Sequence, residues 1–206
     1  MQNTYQNITQ ATLNEAQEVR AKITDWKELK KGKHLVIYNT QYKDHSLKLT
    51  KVIGTIPTNI QKAATYFFSN IDAQRASRSE MLTQLNLVEQ IDENSYVVLS
   101  KTKSKMLVSS RENLNVTRKI QLNANEIVIV KSNIDSHPKV VISKDSVQSQ
   151  TKIFALFLTK IDENNTKIEV YNLVDPKGSI PSSITNGFSD MQLNALEKDV
   201  EALLKL

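Results

Sequence analysis

The side chains able to do chemistry are few and scattered. Three histidines, His34, His45 and His137, stand on separate segments, and none has an acidic or histidine partner at the spacing a zinc ion needs. The sequence has no cysteine, which removes disulfides, thiolate nucleophiles and zinc–thiolate sites. Only four glycines occur in 206 residues, too few for a phosphate-cradling loop, and there is no Gly-x-Ser-x-Gly elbow. The carboxylate pairs Asp92-Glu93 and Asp162-Glu163 fall in turn-like stretches, where solvated charge accounts for them. The chain therefore reads as a non-enzyme with no metal and no cofactor.

Composition narrows the class further. Hydrophobic residues at 39% and charged residues at 24% describe a soluble globular chain, and 206 residues suit one domain spanning 1–206, with residues 1–10 expected as a flexible extension. A formal charge of +5 permits attraction to anionic partners without demanding it, since the lysines are dispersed. At 6% aromatic residues, with no basic strand pair carrying a stacking platform, nucleic acid is not an expected partner. No stretch has the roughly 18 to 20 apolar residues of a membrane span. The first basic residue is Arg20, so neither a secretory signal nor a transit peptide is visible, and a cytoplasmic location is expected. The sequons at Asn7, Asn115 and Asn164 then read as chance matches in an Asn-rich chain.

The elements that must position any site follow from periodicity. Leu13, Ala16, Val19 and Ile23 recur at helical spacing and predict an N-terminal helix, followed by Trp26. Period-two patterns at His34–Tyr38 and Leu47–Ile56 predict strands joined by a turn at Lys43–Ser46. Pro57 stops the sheet, and Thr58 is placed to cap a short helix through Ile60, Ala63, Ala64, Phe67 and Phe68, closed by Asn70. Strands are expected at Thr83–Ile91, Tyr96–Ser100, Val116–Leu122, Ile127–Asn133, Lys152–Ile161 and Lys167–Val174, with hairpin turns at Asp92–Asn94 and Asp162–Asn165. This order predicts an α+β fold, an antiparallel sheet with its helices on one side.

The sharpest local signal is Asp175-Pro176-Lys177-Gly178-Ser179-Ile180-Pro181. Asp before Pro starts a turn, Gly178 supplies a conformation other residues reach only with strain, and Pro181 suits the first turn of a helix with Ser179 as its N-cap. Beyond it Ile184, Phe188, Met191, Ala195, Leu196, Val200, Leu203 and Leu204 form one apolar face, opposite Asp190, Glu197, Lys198 and Glu201. A helix of roughly 25 residues, about 37 Å long, is expected.

The run Val170–Pro181, with the long helix after it, resembles the C-terminal signature of the START family, the steroidogenic-acute-regulatory-related lipid transfer domains. Trp26, Ser109–Leu114 and Ser132 with His137-Pro138 resemble further family segments in the right order. The resemblance covers roughly residues 10 to 206. It implies a helix-grip fold, in which a curved antiparallel sheet grips the C-terminal helix and a tunnel between them encloses one lipid, a phospholipid or sterol, carried between membranes without covalent chemistry. The chain departs from the sterol-binding pattern in three places. Val98 and Ser100 stand where an acidic residue is expected, Thr117 falls on the second arginine position with Arg118 beside it, and Phe154 takes the place of a strand arginine.

On this resemblance the expected ligand contacts are Arg118, Arg111, Tyr96, Phe154, Phe157, Tyr171, Phe188 and Met191. A buried guanidinium at Arg118 would need a partner such as a lipid headgroup. Ordinary core packing explains the apolar members equally, and a solvated strand position explains either arginine. The stretch Lys101–Val108 matches a gating loop, and Lys101, Lys103, Lys105, Met106 and Leu107 are the expected contacts with an anionic membrane surface; a solvated hairpin is the plain alternative. The partners implied are one lipid, transiently a membrane, and possibly a protein: reuse of the fold as a scaffolding subunit of a larger assembly is the rival reading.

Overall fold

The computed structural model of the protein describes residues 2–45, 47–69, 71, 73–104, 108–178, 180 and 187–206. Ten strands form one curved sheet: β1 Lys27–Lys31, β2 Leu35–Thr40, β3 Leu49–Ile56, β4 Leu82–Asp92, β5 Ser95–Thr102, β6 Ser110–Asn123, β7 Glu126–Asn133, β8 Ser146–Gln148, β9 Gln150–Lys160 and β10 Thr166–Asp175. Their spatial order is β1-β2-β3-β10-β9-β7-β6-β5-β4, antiparallel throughout, and the short β8 pairs in parallel with β6. The expected α+β helix-grip architecture is the one observed.

Alternation along the strands separates two apolar faces. On one, Leu35, Ile37, Val52, Ile127, Ile129, Leu156, Leu158, Ile168 and Val170 form a cluster with the helices α2 Ile60–Ser69 and α4 Phe188–Leu203. On the other, Val128, Val130, Ile153, Ala155, Phe157, Tyr171 and Leu173 meet Leu13, Ala16 and Val19 of α1 Gln2–Lys22. The helices therefore cover both faces rather than one side. The sheet's middle strands are apolar on alternate residues in both directions because both surfaces are buried.

Three local expectations are corrected. Residues 2–10 are helical rather than a loose extension: Thr9 is fully buried, and Tyr5 and Ile8, three residues apart on α1, pack against Val97, Leu114 and Val116. Asn59, not Thr58, caps α2; its Oδ1 accepts from the Lys62 amide at 2.8 Å, the N3 position, while the Thr58 carbonyl accepts from the Thr166 hydroxyl at 2.7 Å. The C-terminal helix has 16 residues with Gly187 at its N-cap, about 24 Å, instead of starting near Ser179; Ser179, Pro181 and Ile184 lie outside the described residues. Among the described residues, no helix is long and apolar enough to cross a membrane.

Candidate functional site

Helix α4 is held over β2 and β3 and against α3, Ala73–Arg78, while α2 lies over β7 and β9. Leu193, Leu196, Val200 and Leu203 point into the grip and are buried; burial of each contributes about 1.5–3 kcal/mol. Polar contacts fasten the flanks. Glu197 accepts from the backbone amides of His34 at 2.9 Å and Leu35 at 2.8 Å, and Gly32 leaves the space its carboxylate fills. The Thr50 hydroxyl lies 3.0 Å from Asn172 O and 2.8 Å from Gln192 Oε1 on α4, sharing its one proton between these two acceptors.

The connection into α4 is fastened by Arg111. The Lys177 amide donates to Asp175 Oδ1 at 2.9 Å, and Lys177 and Gly178 follow with φ of 52° and 65°. Only a residue without a Cβ enters that left-handed region freely, which explains Gly178. Arg111, itself buried, donates through Nε to Pro176 O at 3.1 Å, through Nη2 to Lys177 O at 3.0 Å and through Nη1 to Ser109 O at 2.6 Å. A charged donor shared among three carbonyls ties the last strand's exit to β6. Arg111 is thus a fastener of the turn, giving one N–H from each of its three nitrogens to the backbone.

Inside the grip the lining changes character along β6 and β7. Leu114 and Val116 belong to the opposite face, so Arg111, Asn113, Asn115, Thr117 and Lys119 line the α4 side. Asn113 accepts from Thr151 Oγ1 at 2.9 Å and from Asn115 Nδ2, and donates to Ser149. Asn115 Oδ1 and the Oδ1 of its cross-strand neighbour Asn133 are buried with no hydrogen-bond partner among the described residues. Tyr96 donates its hydroxyl to Phe68 O at 3.0 Å, and burial holds its pKa up at about 12, so it stays a neutral donor.

Two residues below Asn133 on the same face stands Lys131. Its Nζ lies 4.5 Å from the centroid of the Phe154 ring, a cation–π contact. Burial first, and the Arg75 charge second, push its ammonium down from 10.5 to about 7, with Asp199 opposing. Asp199 of α4, 8% exposed, accepts from Arg75 Nε at 3.2 Å and Arg78 Nε at 3.3 Å, and Arg78 Nη2 is buried without a hydrogen-bond partner. The floor of the grip is therefore apolar toward β2, β3 and β10, and cationic and polar toward β6 and β7.

The expected contacts divide between the faces. Tyr96 and Phe154 lie under the helices, and Phe188 and Met191 are half-buried at the start of α4. Arg118 does not: it faces Tyr5, Gln6 and Thr9 of α1, lining a cavity of only about 10 Å³ with Ile91, Ser95 and Val116. Phe157 and Tyr171 also point to the α1 side, in edge contact with each other at 5.9 Å between ring centroids. One step along a strand reverses the face, which is why Arg118 cannot replace an arginine expected at Thr117. Lys101 ends in an ion pair with Glu112 at 3.0 Å rather than facing outward. Lys103 is exposed, and Lys105, Met106 and Leu107 lie outside the described residues.

Lys131, Asp199, Arg75 and Arg78 were not expected in the site. Two had a readable signal: Lys131 shares a strand face with Ile127 and Ile129, and Asp199 sits three residues after Leu196 and four before Leu203 on the apolar face of α4. Arg75 and Arg78 had none, because a six-residue helix carries too little periodicity.

A family model described as START domain matches residues 8–203. No curated protein matches the sequence. Among solved structures, human StAR-related lipid transfer protein 5 is similar over 100% of this chain and 98% of that one, with a TM-score of 0.84 and 14% identity. Human STARD10 is similar over 93% of this chain and 78% of that one, with a TM-score of 0.77 and 15% identity. A STAR-related lipid transfer protein fragment from Xanthomonas axonopodis is similar over 87% and 99%, with a TM-score of 0.74 and 12% identity. At such identities the likeness to these structures is one of fold.

Proposed function

The chain belongs to the START domain family, and from that premise we propose that it binds one lipid between the sheet and α4 and carries it without catalysis. The observation that supports this reading is the two-part lining of the grip. An apolar cluster runs from Leu35 and Val52 to Leu158 and Val200, and it gives way to Asn113, Asn115, Tyr96 and Lys131 at one side, which is the division an amphiphile presents. Binding draws on burial of the hydrocarbon, about 25 cal/mol per Å² before the costs of ordering. Release needs α4 to lift, and the Arg111-fastened turn is the place where it would pivot. Lys103 and the segment after it are the side proposed to meet an anionic membrane, each lysine contributing about 1 kcal/mol there. A chain with no cysteine suits the reducing cytoplasm proposed for it.

A second reading, the fold reused as a structural subunit, draws on a different observation. Two cavities lined by described residues lie away from the grip: one is under α1, and the other, about 220 Å³, is lined by Asp44, His45, Leu47, Lys152 and residues 173–175. Neither lies under α4. Native mass spectrometry of the purified chain, followed by lipid extraction and titration with labelled phospholipid and sterol, separates the two. One lipid per chain supports the carrier. A chain that copurifies with none and binds neither label overturns it.

A further inference from the structure

Half-buried cationic side chains inside the grip point to the chemical class of the cargo. Lys131 makes no ion pair among the described residues; its contact is the Phe154 ring. Arg75 and Arg78 share one carboxylate, Asp199, through their Nε atoms, and Arg78 Nη2 is buried with nothing to donate to. A cation drawn partly out of water without an ion-pair partner is costly, and a guanidinium with a free N–H offers the geometry that carboxylates and phosphates accept. Along the same face of β7, Asn133 Oδ1 and its neighbour Asn115 Oδ1 are buried acceptors lacking donors. A headgroup bearing both negative oxygens and an O–H would satisfy both sets.

We propose that the lipid carried here is anionic, its carboxylate or phosphate seated on Lys131 and Arg78 beneath α4, with its tail along Ile129, Leu156 and Leu196. This rests on the lipid-carrier reading above and specifies its ligand. Of the charged groups that act on Lys131, Arg75 of α3 disfavours its ammonium and Asp199 of α4 favours it, and that Asp199 carboxylate is already engaged by Arg75 and Arg78. An anion on Lys131 also favours its protonated form.

The test uses the full chain and four tail-labelled probes in phosphatidylcholine vesicles: a long-chain fatty acid, its matched fatty alcohol, phosphatidic acid and its matched diacylglycerol. Inorganic phosphate alone is a fifth arm. The acid of each pair is expected to bind about tenfold or more tighter than its neutral partner, and Lys131→Met to erase that margin while binding of the alcohol persists. Lys131 should also be protected from reductive methylation by bound fatty acid in the unaltered protein, a readout that stands if the variant does not fold. Equal binding within each pair, or an undiminished margin in Lys131→Met, overturns the anionic assignment and leaves lipid carriage intact. Binding of none of the four overturns both. Saturable protection of Lys131 by inorganic phosphate, with no margin for the lipid acids, assigns the site to a free anion and overturns the headgroup.

Discussion

Replacing Asp199 by Asn removes one negative charge from between two arginines and leaves the side chain's shape. Asp199 is 8% exposed and its partners Arg75 and Arg78 are 16% and 23% exposed. Deleting one partner of a fully buried pair costs about 3–5 kcal/mol. Both guanidiniums keep some water, so about 2–3 kcal/mol is expected here. For a chain of this length that corresponds to a Tm lower by about 4–12 °C. The assay is thermal unfolding followed by circular dichroism, repeated in an Arg75→Gln, Arg78→Gln background. If ion pairing carries the effect, Asp199→Asn costs much less once both arginines are gone, because the stranded charges no longer exist. A Tm within about 1 °C of the unaltered protein, or the same loss in both backgrounds, would refute the reasoning.

Three more outcomes follow from the geometry. Because the Lys131 ammonium is pushed down to about 7 from 10.5, the unfolded chain holds its proton across that interval while the folded chain has released it. Stability of the lipid-free protein therefore rises from about pH 7 toward 10.5 relative to Lys131→Met, as read from denaturant midpoints across pH; a constant difference would count against a near-neutral lysine. Arg111→Gln removes donors to Pro176 O and Lys177 O, so it should destabilise by about 2–3 kcal/mol and speed release of bound lipid, measured by stopped-flow transfer to acceptor vesicles. Gly54→Ala would drive a Cβ into the His34 carbonyl and to 2.8 Å from Leu35 Cδ2, so a loss of about 1–3 kcal/mol or more is expected on unfolding, with no effect on which lipid binds.

The helix-grip layout was legible because its elements repeat. Leu13, Ala16 and Val19 on α1 and Leu196, Val200 and Leu203 on α4 carry helical spacing, and the Asp92 and Asp162 turns close their hairpins by accepting the amide two residues on, each at 2.8 Å. Strand β1 was not legible, since all five of its residues are exposed and nothing alternates. The site was legible only in part. Both faces of β6, β9 and β10 are buried, so an apolar residue such as Phe157 gives no sign of which helix it meets, and Arg118 against Thr117 turns on a single step of register. Arg111 was singled out as an expected ligand contact, but whether its donors would serve a ligand or the backbone depends on a turn 65 residues away in the chain. The charged group around Asp199 joins α3, α4 and β7, a juxtaposition that no local pattern encodes.

A photoactivatable lipid carrying its crosslinker on the tail, loaded from vesicles and mapped by peptide mass spectrometry, reports where the cargo sits. Crosslinks at one lipid per chain on β7, β9 and the inner face of α4, near Ile129, Leu156 and Leu196, are predicted. Crosslinks confined to the α1 face, around Arg118, Phe157 and Tyr171, or a chain that loads no lipid, would contradict carriage between the sheet and α4.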